Sequence, residues 1–328
     1  MSDCSLTTER QRELFEAMVI TRRFEEEIIG LAREEGRLPG MQILAVGQEA
    51  VSAGVAAALQ PADVIVSNHR SHGHLLCRGA DPRPLLAEIM GKAAGINGGK
   101  AGTLHLVVPE INALMTSTVV GAGPPMAAGA AFAQQYTGSG HMTVVFFGDG
   151  AAAEGSVHEA MNLAALWKLP LLFVCENNCW AGAQRYEQHC PVPDLSIRAE
   201  AYAMAGRAVD GNDVEAVFET ACEFSDQCRN GEGPAFIEAR TYRMRGHGEM
   251  DHQHYVDRAE LESWAARCPV ARYRDKLLST GVLSAEEVEG IEADAARRVA
   301  EAVAFADQSP APELTSALDD VWASGSIA

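Results

Sequence analysis

The stretch from 142 to 178 constrains the fold more than any other part of the chain. MTVVFF (142–147) is an apolar, β-branched run, EGSVHEAMNLAALWK (154–168) reads as a helix, and LLFVCEN (171–177) is a second apolar run. Strand, helix and strand within roughly 35 residues make a βαβ unit, so the two strands should be parallel. The turns of this unit carry polar groups. GDG (148–150) closes the first strand, and Asn178 closes the second. Gly148 and Gly150 let a ligand approach the backbone, and a helix N-terminus behind them favours an anion. One βαβ repeat therefore carries the Asp149 carboxylate and the Asn178 amide oxygen to one sheet edge, where ligands bind in open parallel sheets. Two hard oxygens beside a helix N-terminus describe a site for Mg²⁺ and a diphosphate.

The flanking sequence extends this pattern. Residues 7–36 read as a long helix capped by Thr7 or Thr8 and ended by Gly36. Helices are expected at 47–59, 82–91, 123–136 and 213–230, and strands at 63–69 and 235–240. A Gly-rich stretch spans 91–106, and the His-, Arg- and Gly-rich stretch 241–258 reads as a long loop. From 258 on the chain is helical and charged. The expected class is α/β, a parallel sheet flanked by helices. The expected organisation is a single domain over 1–328, with a helical N-terminal extension (1–46) and a helical C-terminal region (258–328).

Composition narrows the partners. The formal charge is −19, which argues against nucleic acid and against an anionic membrane surface. No apolar run is long enough to span a bilayer, and the N-terminus lacks the pattern of a signal peptide. A cytoplasmic protein is expected. The eight cysteines show neither CxxC nor paired metal spacing and read as reduced thiols, without structural zinc or disulfide. His69, His72 and His74 crowd one loop, but the order and further ligands of an HxH zinc hydrolase are missing.

GDGAAAEGSVHEAMNLAALWKLPLLFVCENN (148–178) resembles the α subunit of the thiamine-dependent first component of 2-oxo acid dehydrogenase complexes. That group includes the pyruvate, branched-chain and acetoin dehydrogenases. RRFEE (22–26), GQEAVSAGVAAAL (47–59), SNHRSHGHLLCRG (67–79), VVGAGPPMAAGAAFA (119–133) and GEGPAFIEARTYRMRGHG (231–248) are similar as well, so the likeness covers nearly the whole chain. The resemblance implies thiamine diphosphate and Mg²⁺ as cofactors. It places Asp149, Asn178 and the Trp180 carbonyl on the metal, and Arg70 with the backbone of Gly150 and Ala151 on the diphosphate. Val120 and Gly121 would meet the aminopyrimidine, with His69 and Gly148 in the same cofactor site. His247 would serve as acid or base beside the thiazolium. His72 belongs to a loop that contributes to cofactor and substrate binding and is a second catalytic candidate. His105 has no clear role, and a packed structural histidine fits it equally.

The family also implies a separate β subunit in an α₂β₂ tetramer, because the glutamate that activates the aminopyrimidine comes from that chain. A lipoyl acyltransferase would receive the acyl fragment released when a small-molecule substrate is cleaved beside its carbonyl. Met41 and Ile43 stand where the family typically carries an aromatic and a histidine facing the substrate. Their apolar side chains point to acetoin or another neutral hydroxyketone rather than pyruvate. A pyruvate dehydrogenase α subunit, a split non-oxidative transferase or lyase, and a catalytically silent relative are the alternatives.

Overall fold

A computed structural model describes residues 4–33 and 35–319. Its centre is a six-stranded sheet in which every pairing is parallel. In chain order the elements are α1 (Thr8–Arg33), α2 (Glu49–Ala57), β1 (Val64–Asn68), α3 (His72–Cys77), α4 (Pro82–Ile89), β2 (Ala113–Ser117), α5 (Gly123–Thr137), β3 (Thr143–Gly148), α6 (Gly155–Trp167), β4 (Leu171–Asn177), a short hairpin β5 (Trp180–Ala181) and β6 (Gln184–Arg185), α7 (Tyr186–His189), β7 (Ala205–Asp210), α8 (Val214–Arg229), β8 (Ala235–Arg240), α9 (Arg258–Ala265), α10 (Pro269–Thr280) and α11 (Ala285–Gln308). The strands lie in the order β2-β1-β3-β4-β8-β7.

Strand periodicity splits the core in two. Val144 and Phe146 of β3 face one side, with Leu172 and Val174 of β4. Val145 and Phe147 face the other, with Phe173 and Cys175. Successive strand residues point to opposite faces, so strands buried on both faces read as continuous apolar runs. On the first side Phe15, Met18 and Phe24 of α1, Val51 of α2, Phe218 of α8 and Val299 of α11 close the core. On the second side α5 and α6 approach through small residues, among them Ala127, Ala131, Ala160 and Ala164.

Several helix ends have plain local causes. The Asp81 side chain caps α4 by accepting from the Arg83 N–H at 2.9 Å. Ser284 and Glu287 form a reciprocal capping box at the start of α11, which satisfies two otherwise orphaned N–H groups. α5 ends on Gly138 in the left-handed conformation (φ 62°), where the missing Cβ removes the steric cost. α1 is shorter than 7–36, since its last described helical residue is Arg33.

The cysteine expectation is corrected. Cys4 and Cys222 are joined in a disulfide, with Cα atoms 5.9 Å apart. Cys4 and Leu6 pack against the core beside α8, and no spacing rule signals a contact 218 residues apart in sequence. The other six cysteines are free. No helix among the described residues is long and apolar enough to cross a membrane.

Candidate active site at the switch point of the sheet

β1 lies between β2 and β3, so the chain leaves β1 toward one side of the sheet and continues to β3 on the other. The loops after β1 and β3 therefore part at their C-terminal ends and open a crevice. A cavity of about 340 Å³ occupies it. His69 and Arg70 come from the loop after β1, Asp149, Gly150 and Ala151 from the turn after β3, and Asn178 and Trp180 from the end of β4. Val120, Gly121 and Gly148 also line it, and His247 reaches it from the loop after β8. GDG does not open α6 directly. A single 3₁₀ turn (Ala151–Ala153) intervenes, and the α-helix begins at Gly155.

Arg70 is buried and aimed by two main-chain carbonyls. Its Nη1 donates to Leu44 O at 2.5 Å and its Nη2 to His247 O at 3.0 Å. Burial, reinforced by Arg243, pushes its pKa down to about 10, so it is a cation at neutral pH. The same burial, with Arg70 and His247 nearby, pushes His69 down to about 3. His247 is lowered too, by burial first and then by Arg70 and Arg243. Both imidazoles are neutral at pH 7, and their rings meet edge to face at 5.9 Å between centroids.

The loop carrying His247 hangs on a buried guanidinium. Arg243 donates to Gly182 O at 2.7 Å, to Tyr255 Oη at 2.6 Å and to Arg245 O at 3.1 Å. Tyr255 in turn donates to Asp251 Oδ2, which also accepts the His247 N–H at 2.8 Å. These donors hold the Asp251 pKa down to about 2 against the opposing effect of burial. Arg245 pairs instead with Glu249, at 2.7 and 2.9 Å.

The residues present fit a Mg²⁺-diphosphate group. Asp149 and Asn178 offer hard oxygens, and among the described residues no three His, Cys, Asp or Glu side chains cluster as a rival metal site. Mg²⁺ takes few protein ligands and keeps phosphate oxygens, so a donor set with one carboxylate suits it. The walls leave room only for glycine at two places. A Cβ on Gly150 would sit 2.8 Å from Ala181 Cβ, and one on Gly121, whose φ is 81°, would sit 2.7 Å from Glu154 Cβ. His247 Nδ1 is buried without a partner, an unmet polar atom at the cavity wall that a bound group could satisfy.

Two expected residues lie elsewhere. His72 is fully buried between Glu25, with Nδ1 and Oε1 3.1 Å apart, and Thr103, with Nε2 and Oγ1 2.5 Å apart. It locks α3 to α1 and does not line the cavity. Ile43 is packed away from both cavities around His247. Met41 does face a cavity, an outer one of about 460 Å³ lined also by Ala183, Gly248 and Met250. Gly182 and His247 belong to both cavities, so the two adjoin. His105 is exposed, within 3.3 Å of Thr118 Oγ1.

A cluster in the cavity wall itself, with Ser67, Asn68, Phe146 and Glu176 among the lining residues, was missed in the sequence. Glu176 accepts from Asn68 Nδ2 at 2.9 Å and lies 3.2 Å from His74 Nε2. His74 Nδ1 is 2.8 Å from Ser67 Oγ, and its ring stacks on Phe146 at 3.8 Å. This cluster ties the ends of β1 and β4 together. A carboxylate inside an apolar run was the available signal. Also missed was His189, at the end of α7, whose Nε2 lies 3.2 Å from Asp149 Oδ2.

Residues 16–315 match the family described as the dehydrogenase E1 component. The chain is 38% identical to the α subunit of an acetoin:2,6-dichlorophenolindophenol oxidoreductase of Bacillus subtilis, over 98% of this chain and 96% of that one. It is also 38% identical to a pyruvate dehydrogenase E1 component α subunit of Zymomonas mobilis, over 92% of this chain and 85% of that one. A chloroplastic pyruvate dehydrogenase E1 component subunit alpha-3 of Arabidopsis thaliana is likewise 38% identical, over 97% of this chain and 76% of its own length.

Proposed function

The chain belongs to the dehydrogenase E1 component family, and from that premise we propose how it works as the α subunit of a thiamine diphosphate-dependent dehydrogenase. The observation that carries the reading is the meeting of Arg70, Asp149, Asn178 and His247 around one cavity at the switch point of a parallel sheet. Asp149, Asn178 and the Trp180 carbonyl would hold Mg²⁺. Arg70 would face the diphosphate, where a fixed guanidinium offsets charge that one Mg²⁺ leaves over. The backbone of Gly150 and Ala151 would meet the phosphates, and His69, Val120, Gly121 and Gly148 would form the remaining wall. When bound, thiamine diphosphate supplies the nucleophilic carbon that allows a C–C bond beside a carbonyl to break. His247, neutral at pH 7, would exchange a proton with the substrate oxygen.

A separate β subunit would complete the site and form an α₂β₂ tetramer. The outer face of α5 and α6 supports a partner. Met126, Phe132 and Tyr136 on α5 and Leu166 and Trp167 on α6 are exposed, and Phe132 packs against both Tyr136 and Trp167. Contiguous exposed apolar surface of this kind marks a protein contact. Val119 and Val120 at the cavity mouth are exposed too. The acyl fragment would pass to the lipoyl group of an acyltransferase.

Acetoin or a related neutral hydroxyketone is the proposed substrate. Among the described residues the outer cavity has no Arg or Lys in its lining, and the one carboxylate there, Asp251, stays ionised. A 2-oxo acid would bring a second negative charge into that space, whereas a neutral ketone would not. The experiment is to purify the chain with its β partner, supply thiamine diphosphate, Mg²⁺ and an artificial electron acceptor, and compare acetoin with pyruvate. Faster oxidation of acetoin is expected, and faster oxidation of pyruvate would overturn the assignment.

A further inference from the structure

We infer that His189 is a positioning residue for the cation site, holding the Asp149 carboxylate in the orientation that Mg²⁺ needs. The inference rests on the reading of Asp149 as a metal ligand. The segment that begins at Asn178 turns through β5 and β6, enters α7, and ends with His189 back against Asp149. The chain that supplies one ligand thus returns to clasp the other.

The geometry sets the chemistry of the contact. An ionised carboxylate only accepts hydrogen bonds, so His189 Nε2 carries the proton in its 3.2 Å contact with Asp149 Oδ2. His189 Nδ1 is buried with no partner, which leaves the ring no competing polar tether. Tyr186 steadies the ring edge to face at 5.7 Å, and Tyr186 is itself anchored by donating to Val192 O at 2.8 Å. Among the described residues no hydrogen bond engages Asp149 Oδ1. One carboxylate oxygen is therefore fixed and the other is left for a cation. Partners that orient a metal ligand in this way typically change metal affinity by about 10–100-fold when removed.

The test is calorimetric titration of Mg²⁺ into the apo α–β complex at saturating thiamine diphosphate. It is run on the native protein, His189→Ala and His189→Gln, with thermal melting of each. His189→Ala is expected to bind Mg²⁺ about 10–100-fold more weakly, with a melting temperature lowered no further than that of His189→Gln. His189→Gln, whose amide can still donate, is expected to recover most of the affinity. Native-like Mg²⁺ affinity in His189→Ala would overturn the positioning role while leaving the site assignment standing. No Mg²⁺-dependent binding by the native complex would overturn the site assignment and this inference with it. A purely structural role would lower the melting temperature of both variants without separating their Mg²⁺ affinities, and that outcome also overturns the inference.

Discussion

The Arg70 guanidinium donates to the main-chain carbonyl of His247 at 3.0 Å. This hydrogen bond ties the loop after β1 to the loop after β8, so the proposed diphosphate anchor and the proposed acid–base residue are placed by one contact. Arg70→Lys keeps the charge but cannot reach both Leu44 O and His247 O with a rigid fork. A charge-assisted hydrogen bond lost to the diphosphate once that fork is gone costs about 1.5–3 kcal/mol, which corresponds to roughly 10–150-fold in affinity. Calorimetry of the α–β complex with thiamine diphosphate should show that loss, and unchanged affinity would remove Arg70 from the site.

Stability should fall with acid through the His69 titration. The His69 pKa is lowered to about 3 in the fold, against about 6.5 in an unfolded chain. Between these values the unfolded chain binds a proton that the folded one does not, so stability rises with pH across that window and is complete above about 6.5. The dependence from this group approaches about 1.4 kcal/mol per pH unit. Melting of the native chain and of His69→Asn between pH 7.5 and 4.5 checks this. The variant should show the shallower decline, and parallel curves would contradict the account.

Glu88 organises the Gly-rich loop that precedes β2. Its fully buried carboxylate accepts from the N–H groups of Asn97, Gly99, Ala101 and Gly102 at 2.6–3.1 Å. Glu88→Ala would leave four backbone donors without that acceptor, at about 1–3 kcal/mol for each one that stays buried. Hydrogen exchange over residues 95–102 should speed by at least tenfold. An unchanged exchange pattern would show that the loop is held by other contacts.

Legibility in the sequence followed the reach of each interaction. The strands 142–147, 171–177 and 235–240 were readable because both faces are buried along most of their length, which makes them mainly apolar, with Glu176, Asn177, Glu238 and Arg240 falling toward their C-terminal ends. β7 was not, since AGRAVD is an edge strand with most residues partly exposed and carries no apolar run. β2 also lies at an edge, and its mixed burial hides it behind the glycines. α3 was hidden because its helical turn is built from the histidines that were read as loop chemistry. In the site, Asp149 and Asn178 were accessible through the spacing of one βαβ unit. His189 and the retreat of His72 into the core depend on tertiary contacts between distant segments, which no local pattern encodes, whereas Glu176 was marked only by its charge within an apolar run.

The outer cavity should tolerate recoding of its charge preference. Met41 is half-exposed and lines that cavity beside Gly248, so Met41→Arg adds a cation without disturbing the core. The ratio of kcat/KM for pyruvate to that for acetoin should rise by about tenfold or more, the scale of one charge-assisted contact. A ratio unmoved by the substitution would place substrate selection elsewhere.

In the proposed function, Asp149 and Asn178 hold the cation of a bound diphosphate cofactor at the switch point of the sheet. Its most direct test is a crystal structure of the α–β complex with thiamine diphosphate and Mn²⁺ in place of Mg²⁺, read by anomalous scattering. One anomalous peak per α chain is expected, coordinated by oxygens of Asp149 and Asn178 within the cavity that Arg70 and His247 line. A peak ligated by other residues, or a bound cofactor whose cation lacks both of these ligands, would contradict it.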